Sequence, residues 1–196
     1  RKNALISALR AANYKKLDDL EGVRIINATA SFINKNTVLL KGEDKEFKTV
    51  SYAGLYQTAL DFSAGLMNIG CKKGDHIGLI ADNRNEWLHI SFGIMNIGAA
   101  DVPRGCDSSE QEVAHIIAFA ECDTAVLENE SQVCKVLNRI NEIPLLRNII
   151  SIDTVDFKKI EEKYGLEPGR FGFYTYSDLT EEGKKLRGEG KIKPEQ

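Results

Sequence analysis

Residues 49–104 decide the fold. They open with Thr-Val-Ser-Tyr-Ala-Gly-Leu-Tyr (49–56) and run through a helix-patterned stretch to Cys-Lys-Lys-Gly-Asp (71–75). His-Ile-Gly-Leu-Ile-Ala-Asp-Asn (76–83) and Arg-Asn-Glu-Trp (84–87) follow, and an apolar segment leads to Asn-Ile-Gly-Ala-Ala-Asp-Val-Pro-Arg (96–104). Tyr52, Leu55, Tyr56, Ala59, Phe62, Ser63, Leu66 and Met67 recur at the spacing of a helix laid on a sheet. Ser51 is placed to cap that helix and Gly70 to stop it. Residues 76–81 are a short apolar run between turn residues, as expected of a buried parallel strand. Asn83 and Glu86 have the spacing of a capping box. The helix they start, to about Ile97, is apolar nearly all round, which predicts burial on both sides. Residues 99–103 read as the next strand.

The same rhythm continues toward the C-terminus. Ser109-Glu110-Gln111-Glu112 is a capping box, with Val113, Ile116, Ile117 and Ala120 as the inward stripe of its helix. Residues 124–128 read as a strand, 131–140 as a helix with Val133, Val136, Leu137 and Ile140 inward, and 147–152 as a further strand. Alternation of this kind builds a mostly parallel sheet with crossover helices on both faces, an α/β fold. Toward the N-terminus, Val23, Ile26, Ala30 and Ile33 predict a helix over 20–33, and 37–41 with 47–51 predict a hairpin around Gly-Glu-Asp-Lys-Glu. Beyond Asp153 the composition turns polar. The expected organisation is an entry helix and hairpin (1–48), an α/β core (49–153) and a polar connecting segment (154–196) with a surface helix over 177–190 and a mobile end.

Composition excludes several classes. With 196 residues, 42% apolar and 28% charged, the chain has the makeup of one globular domain. A net charge of −3 without a large basic block argues against a nucleic-acid surface. Four cysteines (71, 106, 122, 134) include no C-x-x-C pair and read as reduced thiols. His76, His89 and His115 lack metal-ligand spacing, so no metal site is expected. No segment reaches the ~20 apolar residues of a membrane span, and there is no signal peptide pattern, so a cytoplasmic protein is expected. A first residue of Arg indicates a trimmed N-terminus.

Catalytic motifs are sparse. G-x-G-x-x-G after a strand, G-x-S-x-G and H-E-x-x-H are all missing. Gly93 and Gly98 have P-loop spacing, but no Lys-Ser or Lys-Thr follows, and close helix packing explains them better. Trp87, the only tryptophan, reads as core in preference to a ligand platform. Cys106 precedes a helix, where the dipole lowers a thiol pKa, but no histidine is adjacent in sequence and a catalytic thiol is not expected.

In order and spacing, residues 49–104 resemble the opening of the AMP-forming adenylating enzymes, and within them the long-chain fatty acid CoA ligases. The resemblance covers roughly residues 25–179 and is best over 49–117, with Tyr52 and Leu55 matching the structural Thr-Tyr-x-x-Leu element. It implies the N-terminal part of the large domain of an adenylate-forming enzyme. The parent would join a fatty acid to ATP with Mg2+, release pyrophosphate, and pass the acyl group from acyl-AMP to CoA; the resemblance leaves peripheral membrane contact of the parent open. The family's Thr-Ser-Gly-Thr-Thr-Gly loop followed by Pro-Lys-Gly, which holds the triphosphate, does not occur in these residues, nor do the later adenine, ribose and lysine motifs. No catalytic residue is therefore expected here, and the chain by itself is expected to be inactive. The positions matching the family's CoA-side loop are Arg104 and Gly105, with Cys106 next to them. An arginine fork suits a phosphate or an adenine face; pairing of Arg104 with Asp107 or Glu110 is the purely structural alternative. Alternatives for the whole chain are a non-catalytic α/β binding domain, or part of an aryl or aminoacyl adenylation enzyme.

Overall fold

The computed structural model describes residues 32–34, 37–41 and 47–194, which fall in two units, 1–50 and 51–196. In the first, β1 (Phe32–Asn34), β2 (Thr37–Lys41) and β3 (Phe47–Ser51) form a sheet in that order, with β1 antiparallel to β2. Strands β2 and β3 fall where the hairpin was expected. Most of the helix expected over 20–33 lies outside the described residues, but its end is strand: Phe32 stands opposite Val38. A β-branched, aromatic pair of residues next to a partner strand favours the ladder over one more helical turn.

The second unit alternates α1 (Tyr52–Asn68), β4 (His76–Ile80), α2 (Asn85–Asn96), β5 (Ala100–Arg104), α3 (Glu110–Phe119), β6 (Thr124–Leu127) and α4 (Glu130–Asn138). It continues with β7 (Asn148–Ser151), α5 (Phe157–Tyr164), β8 (Gly172–Thr175) and α6 (Tyr176–Gly188). The five strands are parallel throughout, in the order β5-β4-β6-β7-β8. Period-two alternation splits the core between the sheet faces. Ile80, Ala125, Leu127 and Ile149 pack with Val113 and Ile117 of α3, Val133 and Val136 of α4, and Ile160 of α5. Ile77, Leu79, Val126 and Ile150 pack on the other face with Phe62 and Leu66 of α1, Ile90 and Ile94 of α2, and Leu179 of α6. Full burial of side chains such as Phe62, Leu79 and Ile117 is worth ~1.5–3 kcal/mol each.

Caps act where the sequence placed them. Ser51 accepts from the Gly54 amide at 3.0 Å, and Ser109 and Glu112 close a reciprocal capping box. Gly70, at φ +100°, ends α1. Gly93 sits against α1, with a Cβ there 2.8 Å from a Phe62 ring carbon, so close helix packing accounts for it. Gly98 lies outside the helix instead, in a left-handed turn (φ +74°) just past the Ile97 cap.

Three expectations need correction. The α2 start is Arg84 in an extended conformation without a side-chain cap; Asn83 and Glu86 form no capping box. The Glu86 carboxylate is taken by the Arg84 guanidinium at 2.9 Å, and Arg84 also holds Asp153 at 2.8 Å. Helix α2 is not buried all round: Leu88, Phe92 and Met95 are 41–48% exposed, because only its Ile90–Ile94 face meets α1 and the sheet. The stretch beyond Asp153 contributes the fifth strand and a closely packed helix. Gly172 to Thr175 pair in register with Asn148 to Ser151. A Cβ on Gly183 would overlap the Asp61 carbonyl, and one on Gly65 the Leu179 carbonyl, so α6 lies almost backbone to backbone on α1. Arg187 and Asp61 form an ion pair across that crossing. Polar composition hid this contact because glycines make its closest approach, with only Leu179 and Leu186 of α6 buried beside them. Among the described residues, no helix is long and apolar enough to cross a membrane.

Candidate functional site

Strand β4 comes first in the parallel sheet, and the chain leaves it in two directions. It goes through α2 to β5 on one side, then returns through α3 to β6 on the other. Because α2 and α4 lie on opposite faces, the loops beyond the carboxyl ends of β4 and β6 diverge and open a crevice. In doubly wound sheets this switch point is where ligands bind.

Beside this crevice, between the carboxyl ends of β4 and β5, lies a cleft of about 340 Å³ lined by Asp82, Asn83, Trp87, Pro103, Arg104 and Gly105. The Ala81 amide donates to the Arg104 carbonyl at 3.0 Å, and the Glu128 amide donates to the Ile80 carbonyl at 2.9 Å, which carries the ladder past the strand ends. Asp82 bridges the loops: its amide donates to Glu128 Oε2 at 2.7 Å, and its Oδ1 accepts from the Cys106 amide at 2.9 Å. From α4, Lys135 Nζ donates to the carbonyls of Cys106 and Ser108, each at 2.8 Å, and clamps the loop after β5.

Arg104 and Gly105 thus stand together on the cleft wall. A Cβ on Gly105 would come within 2.8 Å of Asp107 Oδ1, so the tight loop needs the glycine. The Arg104 guanidinium is about half exposed and has Glu112 at 4.0 Å, not Asp107 or Glu110. The capping box explains this, since it folds the Glu112 carboxylate back over the start of α3 toward the end of β5. Bonds from the Ser109 amide and hydroxyl hold that carboxyl below its usual range. Trp87 is half-buried: it packs on the core shared by α1, α2 and α6, as expected, and also lines the cleft.

Cys106 does not sit in the setting of an activated thiol. Burial, followed by the charges of Glu128 and Asp82, pushes it up to about 11, against the direction expected from a helix dipole. All four cysteines are free thiols. Sequence reasoning overlooked Asp82, Glu128, Gln132 and Lys135. The available signal was an acid directly after each apolar strand, Ala81-Asp82 and Leu127-Glu128.

The sequence profile of the family described as AMP-binding enzyme matches residues 28–182. The chain belongs to this family of adenylate-forming enzymes. It is 26% identical over 181 residues, 92% of its length, to a long-chain-fatty-acid–[acyl-carrier-protein] ligase of Arabidopsis thaliana, of which it covers 24%. It is 28% identical over 88 residues, 45% of its length, to a long-chain-fatty-acid–CoA ligase of Mycobacterium tuberculosis, of which it covers 15%. Among solved structures, the adenylation domain of a carboxylate reductase from Mycobacterium chelonae superposes over 76% of this chain and 26% of its own, with TM-score 0.62 and 15% identity. The chain therefore spans about a quarter or less of these relatives, and its fold is that of part of an adenylation enzyme's large domain.

Proposed function

We propose that this chain is the N-terminal subdomain of a cytoplasmic long-chain fatty acid CoA ligase, which activates a fatty acid with ATP and Mg2+ and transfers it to CoA. Fatty acid activation is supported best by the likeness, across 92% of the residues, to a long-chain-fatty-acid–[acyl-carrier-protein] ligase, and CoA as acceptor by the likeness, across 45%, to a long-chain-fatty-acid–CoA ligase, both carried on a sheet with its switch point intact. The ATP half of the chemistry belongs to other parts of the parent, since these 196 residues contain no Ser/Thr/Gly-rich phosphate loop. This subdomain's share is the edge beside Arg104 and Gly105. There a half-exposed guanidinium with, among the described residues, one distant carboxylate partner has donors to spare for a CoA phosphate, and the Trp87 ring stands in the same cleft.

The test is fatty-acid-dependent ATP–pyrophosphate exchange by this chain and by the product of the longer reading frame. The chain should show none and the longer protein should exchange with long-chain acids. In the longer protein, Arg104→Ala should leave exchange intact and raise the KM for CoA by ~10-fold or more, the scale of one lost charge-assisted contact. Exchange by the 21.8 kDa chain alone would sink the subdomain reading. An unchanged KM for CoA would remove Arg104 from the acceptor site.

A further inference from the structure

The loop that follows β5 is held by one side of α4. Gln132, Lys135 and Asn138 recur every third residue, which makes them neighbours in a row along that helix. Gln132 Nε2 donates to the Cys106 carbonyl at 3.3 Å, and Lys135 Nζ donates to the Cys106 and Ser108 carbonyls at 2.8 Å each. Asn138 Nδ2 donates to Glu110 Oε1 at 2.7 Å. The row thus follows the chain from the loop into the first turn of α3. Tyr164 of α5 fixes its far end, with its hydroxyl donating to Asn138 Oδ1 at 2.9 Å. Asp82 Oδ1 takes the Cys106 amide at 2.9 Å, and the Cys106 thiol bonds to Glu128.

Lys135 is the strongest member of this row. A lysine loses more rotamer freedom than most residues when it is fixed. Among the described residues its ammonium forms no ion pair, and two of its donors go to backbone carbonyls instead, at the length of charge-assisted bonds. The turn's own closure is weaker: the Ser108 amide reaches the Gly105 carbonyl at 3.3 Å. Lys135 does not line the cleft, so it acts on a ligand there only through the loop. Arg104 stands at the head of that loop, and the carboxylates of Asp107, Glu110 and Glu112 follow it closely in sequence. Only Glu112 comes near it among the described residues, at 4.0 Å. Asp107 Oδ1 is folded against Gly105, and Glu110 is turned to Asn138.

From this geometry we infer that Lys135 is a positioning residue for acceptor binding. It holds residues 105–108 in the turn that keeps the Arg104 guanidinium on the cleft wall and away from the carboxylates that follow it. Without the ammonium, the Cys106 and Ser108 carbonyls lose their charged partner and the turn loosens. Asp107 and Glu110 then come within reach of Arg104 and take the donors that an acceptor phosphate needs. A contact on an exposed loop is only as well placed as the residues that hold the loop. The inference rests on the reading of Arg104 as a CoA contact and adds the residue that aims it.

The test uses the longer protein. Lys135→Met should raise the KM for CoA by about 5-fold or more, while kcat and fatty-acid-dependent ATP–pyrophosphate exchange stay within about 2-fold. Lys135→Arg, which keeps the charge, should recover part of the loss. Added to Arg104→Ala, Lys135→Met should raise KM no further, because it acts through that arginine. Hydrogen exchange read by mass spectrometry should be faster by about 10-fold or more over residues 105–108 in Lys135→Met and unchanged in β6 and β7, which separates a loosened loop from a loosened fold. Should Lys135→Met fail to fold, Lys135→Gln takes its place in each comparison. Where Arg104→Ala raises the KM for CoA, an unaltered KM in Lys135→Met, or losses from the two variants that multiply, overturns the inference. Where Arg104→Ala leaves that KM unchanged, the acceptor reading fails by itself. Exchange over 105–108 then decides on the clamp alone: faster exchange upholds it, and unchanged exchange overturns it.

Discussion

His89 shows how a side chain without an obvious role acquires a definite charge state. Its Nδ1 lies 3.1 Å from the Tyr176 hydroxyl, between α2 and the start of α6. Burial pushes the imidazole below its ordinary 6.5 and outweighs the opposing pull of the Glu86 charge. Burial likewise pushes Tyr176 up to about 12. Because the folded imidazole binds its proton less readily than the unfolded one, His89 contributes stability that is fully present above pH 6.5 and is lost as pH falls through its folded value. An NMR titration of the His89 ring should therefore give a midpoint below 6.5; a midpoint at or above it would show that the Glu86 charge dominates. At the same scale, Arg104 and Gly105 could be singled out from sequence because the motif around Val102-Pro103 is distinctive. Asp82 and Glu128 could not, since an acid after a strand looks like any solvated loop residue until the two loops are brought together.

Element pairs were legible to the extent that side chains make their contacts. The α1 stripe correctly named Ala59, Phe62, Ser63 and Leu66, but Tyr52, Tyr56 and Met67 remain 38–48% exposed. The burial they would have claimed went to Ala64 and Gly65, because α1 is covered by α2 on one flank and α6 on another. A hydrophobic stripe reports one buried face, whereas a helix between two neighbours also hides its small residues. Gly183→Ala is the direct probe of this crossing. The added methyl has no room against the Asp61 carbonyl, so the helix must shift at a cost of ~1–3 kcal/mol despite alanine's better helix propensity. Chemical denaturation should show a lowered midpoint. A neutral or raised midpoint would mean that α6 is held loosely.

Across the whole molecule, the sheet protects its two edges differently. Strand β5 is an edge strand carrying Asp101, Pro103 and Arg104, residues that discourage pairing with another chain. The opposite edge, β8, has the aromatic sequence Gly-Phe-Tyr-Thr (172–175) and no such guard. Leu88, Phe92 and Met95 add an exposed apolar row along α2. A surface of this kind drives association in water. Light scattering of the chain should show mass rising with concentration, and Phe92→Lys combined with Leu88→Lys should restore a monomer. A monomer at all concentrations before substitution would show that neither surface is adhesive.

The sequence by itself determined the strand–helix alternation, the caps at Ser51 and Ser109, the stop at Gly70 and the likeness to adenylating enzymes. Each of these depends on residues near one another in the chain, where spacing maps directly onto geometry. Tertiary structure alone decided that residues 172–188 complete the sheet and lie on α1, that α2 keeps an open face, and that Asp82, Cys106 and Glu128 meet. Those outcomes depend on strand order, and strand order places residues from distant parts of the chain side by side. No local pattern encodes that neighbourhood, because periodicity tells a residue which face it takes and not which strand will lie beside it.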